Sequence, residues 1–329
     1  MRYYDLIISN PTTNAIVRRW TSHPNGVNQP PDPGALNIEF DVMVSNYGSP
    51  ANPGGSVITL EGVPIADLFQ AQQFAGMTFT LKAGMGKGLP LSNPAQSGLI
   101  MSGFIFQSFG NWVGTEMTLD LVVFPDAYNL DAPGNFSVNW PAGLPLNTGI
   151  AQVLNTAYPG IKQYVQIQSG IVFPNAEFGI FSTLRQFAAF VLGLTAGYFG
   201  PDYNGVNIAI QGGQFFVYDG SETSVTVPIA FNDLIGQPTW IDVNLIQIKT
   251  VLRADVQMSN KVKMPQGLQG LPGMAAVTAQ SLPSSSKYQS AFQGAFSVYA
   301  IRHIGNFRAP DGNQWATILN CSAPVSSNG

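Results

Sequence analysis

Strict alternation between apolar and polar residues marks the first third of this chain. Leu36-Asn37-Ile38-Glu39-Phe40-Asp41-Val42, Met77-Thr78-Phe79-Thr80-Leu81-Lys82 and Met117-Thr118-Leu119-Asp120-Leu121 each change character at every step. A period of two belongs to the pleated strand, which turns one face to a core and the other to solvent. Turn chemistry separates the runs: Pro30-Pro31-Asp32-Pro33-Gly34, Asn52-Pro53-Gly54-Gly55 and Gly84-Met85-Gly86-Lys87-Gly88. With 35 glycines and 24 prolines, the chain carries the punctuation of many short strands joined by tight turns. Pro64 precedes Ile65-Ala66-Asp67-Leu68-Phe69-Gln70-Ala71, where apolar residues fall at helical spacing, so a short helix is expected there.

The middle of the chain changes period. Asn147 to Tyr158 opens on a capping residue, carries an apolar stripe at helical spacing and stops at Pro159-Gly160. A second helix is expected after Ser182 as cap, with Leu184, Phe187, Ala188 and Val191 on one face and Gly193 near its end. Strands over Val206 to Ile210 and Phe215 to Tyr218 follow across Gly212-Gly213. Thr239 to Leu252 reads as one long strand packed on both faces. Residues 266–290 are rich in Gly, Pro, Ser and Gln and read as a mobile or partner-ordered excursion. Ala295 to His303 and Trp315 to Asn320 form the expected last pair. The expected fold class is therefore α+β, predominantly β. Its domains are a β-rich domain over 1–125, a small α+β domain over 126–220 and a second β-rich domain over 221–329 that contains the excursion.

Only 10% of the 329 residues are charged, against about 25% in ordinary soluble domains. Uncharged polar and aromatic groups are cheaper to desolvate than ions, so such a surface suits association between chains. The net charge of −4 disfavours a protein that grips nucleic acid through its phosphates. The densest cationic stretches, Lys261-Val262-Lys263 and Arg18-Arg19, are short. Cys321 is the single cysteine, which rules out an intrachain disulfide and any cysteine-built metal site. Met1-Arg2-Tyr3-Tyr4-Asp5 leads into a strand-like run without a signal-peptide core, and the apolar stretch near Phe187 to Thr195 is too short for a membrane span.

Few residue groups invite a chemical reading. Gly84 to Gly88 lacks phosphate-loop spacing and is followed by Leu89-Pro90 where a helix would start, so a turn between strands is the better reading. His23, before Pro24-Asn25-Gly26, is expected to be an exposed loop residue, and His303 a structural residue at a strand end. Neither has metal-ligand spacing, and no serine lies in a nucleophile elbow. The carboxylate pairs Glu39 with Asp41 and Glu116 with Asp120 could serve a glycosidase, but their alternate positions suit the solvent face of a strand. Phe104, Phe106, Phe109 and Trp112 could stack sugars or bases, with core or subunit interface the stronger expectation. No catalytic, cofactor-binding or metal-binding residue is assigned, no cofactor is expected, and the chain is read as a non-enzyme.

Several stretches resemble the baseplate hub proteins of tailed bacteriophages, particularly those with contractile tails. They are Leu60 to Leu68, Gly88-Leu89-Pro90-Leu91, Gly110 to Thr115, Pro228 to Trp240, Val251 to Val256, and Arg302-His303-Ile304-Gly305-Asn306-Phe307-Arg308 with Trp315 and Cys321. The resemblance implies a homotrimer in which each subunit supplies two antiparallel β-barrel domains related to tail-tube proteins. It implies contacts with the six-fold tail tube, the central tip or spike, other baseplate proteins and the tape-measure protein. It also implies a place in the virion tail, assembly in the bacterial cytoplasm and a lumen through which DNA passes without specific binding. One alternative is a carbohydrate-binding or wall-degrading tail protein. Another is a tail-tube or distal tail protein, against which the insert and the chain length weigh.

Overall fold

The computed structural model describes residues 1–49, 55–88, 93–125, 134–200, 203–220, 225–242, 245–265, 292 and 294–322. The turn at Asn52-Pro53-Gly54 and the excursion at 266–290 lie outside them. The alternating segments form strands as expected. β1 (Arg2–Ser9), β2 (Ile16–Thr21), β3 (Asn37–Ser45) and β4 (Ser56–Glu61) precede the short helix α1 (Ile65–Phe69), and β5 (Thr78–Met85), β6 (Gly98–Val113) and β7 (Glu116–Phe124) follow it. The inward residues of these strands, among them Leu6, Ile38, Phe40, Leu60, Phe79, Leu81, Leu119 and Leu121, meet in one apolar cluster.

The last part of the chain adds β13 (Thr226–Pro228), β14 (Thr239–Asp242), β15 (Leu245–Val251), β16 (Lys261–Lys263), β17 (Ala295–Asn306) and β18 (Trp315–Ser322). The expected long strand over 239–252 is instead an antiparallel hairpin, with Thr239 opposite Gln247. β15 alternates in burial along its length rather than being covered on both faces, which is the pattern of a strand with one wet side. β17 and β18 pair as expected and supply much of a second cluster with Trp240, Ile246, Ile248 and Phe296.

The two β-rich parts share one 13-stranded sheet, eleven of its strands in the order β14-β15-β18-β17-β3-β4-β7-β6-β5-β1-β2, with β16 joined to β17 and β13 to β16 beside that path. The join is the antiparallel pairing of Ala300–Asn306 with Glu39–Ser45. Among the described strands no ladder closes this path into a barrel. Side chains draw the curled sheet together instead. The Arg2 guanidinium donates to the carbonyls of Asn306 at 2.7 Å and Asp311 at 2.7 Å, and also to that of Ala309. Tyr4 donates to the Leu36 carbonyl at 2.8 Å, and Trp315 Nε1 to the Gly84 carbonyl at 2.8 Å. Trp315, from the end of the chain, is buried in the first cluster.

The intervening segment holds β8 (Phe136–Trp140), α2 (Leu146–Ala157), β9 (Gln163–Gln166), β10 (Glu177–Phe181), α3 (Leu184–Thr195), β11 (Asn207–Gln211) and β12 (Gln214–Tyr218). Both helices form, but their caps are shifted. Pro145 caps α2 without a side-chain bond, because proline presets the entry angle and lacks the N–H that a cap would serve. Thr183, not Ser182, caps α3 by accepting from the Gln186 N–H. Leu184, Phe187, Ala188 and Val191 are buried as expected, in a third cluster. The strand that is apolar on both faces is β12: Phe215 and Val217 enter the third cluster, Phe216 and Tyr218 the second. It runs parallel to β9 and antiparallel to β11, so this small sheet is packed on both sides.

Arg253 is the largest fully buried side chain among the described residues, at 1% exposure. Its guanidinium donates to Asp233 Oδ2 at 3.0 Å and to Asp255 at 2.7 and 2.6 Å. Gln96, from the first part of the chain, donates to both Asp233 oxygens at 3.2 Å. The Arg253 backbone N–H donates to Thr317 Oγ1, and the Thr317 hydroxyl donates to the Arg253 carbonyl. Removing one member strands the others in a low-dielectric interior. Arg253→Met should therefore cost about 3–5 kcal/mol of unfolding free energy in urea titrations. Pairing it with Asp233→Asn should recover part of that loss, because the more deeply buried of the two stranded carboxylates is gone.

Candidate functional site

The glycine loop is a packing feature. Gly84 has φ +154°, and a Cβ there would collide with Ser97. Its carbonyl is the acceptor for Trp315, so the glycine lets two strand ends and an indole meet. Leu89 and Pro90 lie outside the described residues.

His23 is buried, contrary to the expectation of an exposed loop residue. The turn at Pro24-Asn25-Gly26 does lie beside it, but the side chain folds inward. Ser22 Oγ lies 2.9 Å from Nδ1, Tyr3 packs edge-on at 5.5 Å, and Gly86 leaves room for the ring. Burial lowers its pKa. His303 is fully buried between strands, with Nδ1 2.9 Å from Thr317 Oγ1 and Nε2 without a hydrogen-bond partner. Burial lowers its pKa to about 4. Among the described residues the two imidazoles share no hydrogen-bond partner: Ser22 holds one and Thr317 the other.

The carboxylate pairs are bound into cross-strand contacts. Asp41 accepts from Arg302 Nε at 2.8 Å, and Glu39 accepts from the Asn306 amide; both donors lie on β17, facing β3. Asp120 accepts from Thr59 at 2.6 Å and Asn111 at 2.7 Å. Glu116 lines a groove of about 450 Å³ with Glu61, Thr118, Met117, Asn37 and Arg308. Arg18 is paired to Asp67 at 2.9 Å and Arg19 to Asp5 at 2.8 Å. Among the described residues, no group of three or more His, Cys, Asp or Glu side chains is placed to hold a metal. No described helix is long and apolar enough to cross a membrane.

The aromatic group divides. Phe104 stacks on Phe124 at 6.1 Å and Phe106 meets the same ring edge-on at 5.5 Å. Phe109 and Trp112 instead lie on the projecting part of the β6–β7 hairpin and are exposed, with Val113 beside them. Helix α1 lies against this hairpin: a Cβ at Gly110 would collide with Leu68, so only glycine lets the two backbones approach. That contact sets Phe69, 77% exposed, close to the hairpin. A second exposed apolar pair, Phe178 and Ile180, occupies one face of β10. Large exposed apolar residues grouped in this way mark contact surfaces. The sequence offers no period by which to separate Phe109 and Trp112 from the half-buried Phe104 and Phe106, because the strand bulges between Ile105 and Gln107.

No family model matches the sequence, and no curated protein matches it. Solved structures do match. A 43 kDa tail protein of prophage MuSo2 from Shewanella oneidensis superposes with a TM-score of 0.51 and 10% identity, over 98% of this chain and 97% of that one. A tail protein from Neisseria meningitidis gives 0.48 at 9% identity, over 98% and 96%. A type VI secretion component from E. coli gives 0.47 at 10% identity, over 88% and 74%. The first of these defines the class of fold: this chain has, along nearly its whole length, the predominantly β fold of a prophage tail protein.

The buried histidine gives a pH test. The folded-state pKa of about 4 lies below the unfolded value of 6.5, so between these limits the unfolded chain binds a proton that the folded chain does not. The stabilisation is complete above pH 6.5 and is lost as pH falls toward 4, by about 3 kcal/mol. His303→Leu should flatten that limb of a stability profile measured by denaturant midpoints. Cys321 is fully buried and its thiol pKa is raised by burial, so a thiol reagent should label the chain only on unfolding.

Proposed function

We propose that this chain is a structural baseplate hub of a phage tail, a homotrimer that joins the six-fold tail tube to a three-fold central tip or spike. The observation that carries this reading is the match in fold, along 98% of the chain, to a prophage tail protein. The two β-rich parts of the continuous sheet support it, since each can serve as one tube-like, barrel-related unit. Three subunits then offer six such units to a six-fold ring, which is how unequal symmetries are matched. The domain limits proposed are 1–125, 126–220 and 221–329.

The low charge fits the same role. Surfaces poor in ions are cheap to bury between copies and against tube, tip, other baseplate proteins and tape measure. A lumen without a dense cationic run lets DNA pass without holding it. The wall-degrading alternative is weakened because Asp41 and Asp120, one from each candidate carboxylate pair, are occupied by Arg302, Thr59 and Asn111.

Sedimentation of the purified chain, alone and mixed with the tip protein, should give a species of three times its 35.2 kDa mass. A reconstruction of the tail should place it as a three-fold ring below the tube. A strict monomer in every mixture, or a six-fold ring, would reject the reading.

A further inference from the structure

The exposed apolar residues of this chain are bordered by charges of one sign at each of two places. At the first, Phe109 and Val113 project from the same face of the β6–β7 hairpin as Glu116, while Trp112 lies on its other face. Glu61 and Glu116 are exposed there and together line the groove of about 450 Å³ that reaches the turn of this hairpin. Neither is in an ion pair among the described residues. Arg308, the cation lining that groove, spends its guanidinium on the carbonyls of Pro33 and Ala35.

The second place lies on β13 and β16, in the other half of the sheet. These strands run parallel, with Thr226 opposite Lys261 and Pro228 opposite Lys263. Val227 and Val262 point to the buried side, and the two lysines share the outer face. Val225 at 69% exposure precedes this face and Phe231 at 65% follows it, tied close by the Ile229 N–H to the Lys263 carbonyl. Neither lysine is in an ion pair among the described residues. β13 pairs with β16 alone, so its other edge is open among the described strands.

We propose that these two faces bind one another between copies of the chain. The aromatic hairpin of one copy covers Val225 and Phe231 of the next, and Glu61 and Glu116 receive Lys261 and Lys263. Opposite charge around apolar centres selects this pairing over hairpin on hairpin, which would set carboxylate against carboxylate. The contact is head-to-tail: each copy uses one face on each side, so it generates a ring wherever the rotation closes. The proposal rests on the hub reading only for the number at which the ring closes, three.

Charge reversal tests it on the full chain by sedimentation equilibrium. Glu61→Lys with Glu116→Lys, and separately Lys261→Glu with Lys263→Glu, should each weaken self-association at least tenfold. Mixing the two variants should restore association in part, because every junction between unlike copies is complementary while a ring of three must keep one junction of like charge, and the quadruple variant should associate as the parent does. Restoration cannot come from misfolded chains. Phe231→Ser, at an exposed position, is a second variant that should weaken association without altering the circular dichroism spectrum. If both reversals leave a trimer intact, or the quadruple variant stays dissociated, the proposed contact is wrong while the hub reading stands. If the parent chain never associates, both fall.

Discussion

A buried cation holds the two halves of this molecule in register. Arg253 brings together Asp233 and Asp255 from its own part of the chain, Thr317 from the closing strand and, through Asp233, Gln96 from the first part. A guanidinium out of water needs its planar donors met in direction as well as in number. That demand fixes the turn after β15, the 3-10 turn at Phe231–Asp233 and the approach of residue 96 at once. His303 touches the same centre through Thr317, so a fully buried imidazole is a neighbour of the buried guanidinium. An apolar substitute could fill the space, but it would not specify which segments meet.

The second constraint is continuity of the sheet. β3 and β17 are more than 250 residues apart along the chain and pair through Ala300↔Ser45 to Asn306↔Glu39. Arg302 with Asp41 and Asn306 with Glu39 reinforce that seam on its outer face. Beneath it, β12 divides its side chains between two apolar clusters. The insert is thereby sandwiched into the body and is not a loose appendage. A mechanical load applied to one half would reach the other through paired backbone.

Local pattern made part of this visible. The alternating runs at 36–42, 77–82 and 117–121 and the Phe187 face of α3 follow from side-chain period alone. Partners distant in sequence leave no such trace, so the β3–β17 seam and the Arg253 centre could not be read from it. Val251 to Val256 was recognisable as a recurring stretch, yet nothing in it says that the arginine is enclosed. His23 was misplaced because its turn residues describe the backbone, while its burial is decided by Tyr3 and Gly86. Thr239 to Leu252 is apolar enough for one strand, but the chain reverses after Asp242. Phe109 and Trp112 are exposed on the hairpin, and the spacing of aromatics in one chain does not record which of them face outward.

The ends of the long sheet bear on the life of the chain before assembly. An unpaired strand edge is a template for runaway growth. Here β2 presents Arg18 and Arg19, each anchored to a carboxylate, and β14 is only four residues long and ends in Asp242. Charge at one margin and brevity at the other discourage strand addition between free copies. A sheet so edged resists strand-to-strand growth and leaves contact between copies to faces that require a correctly oriented neighbour.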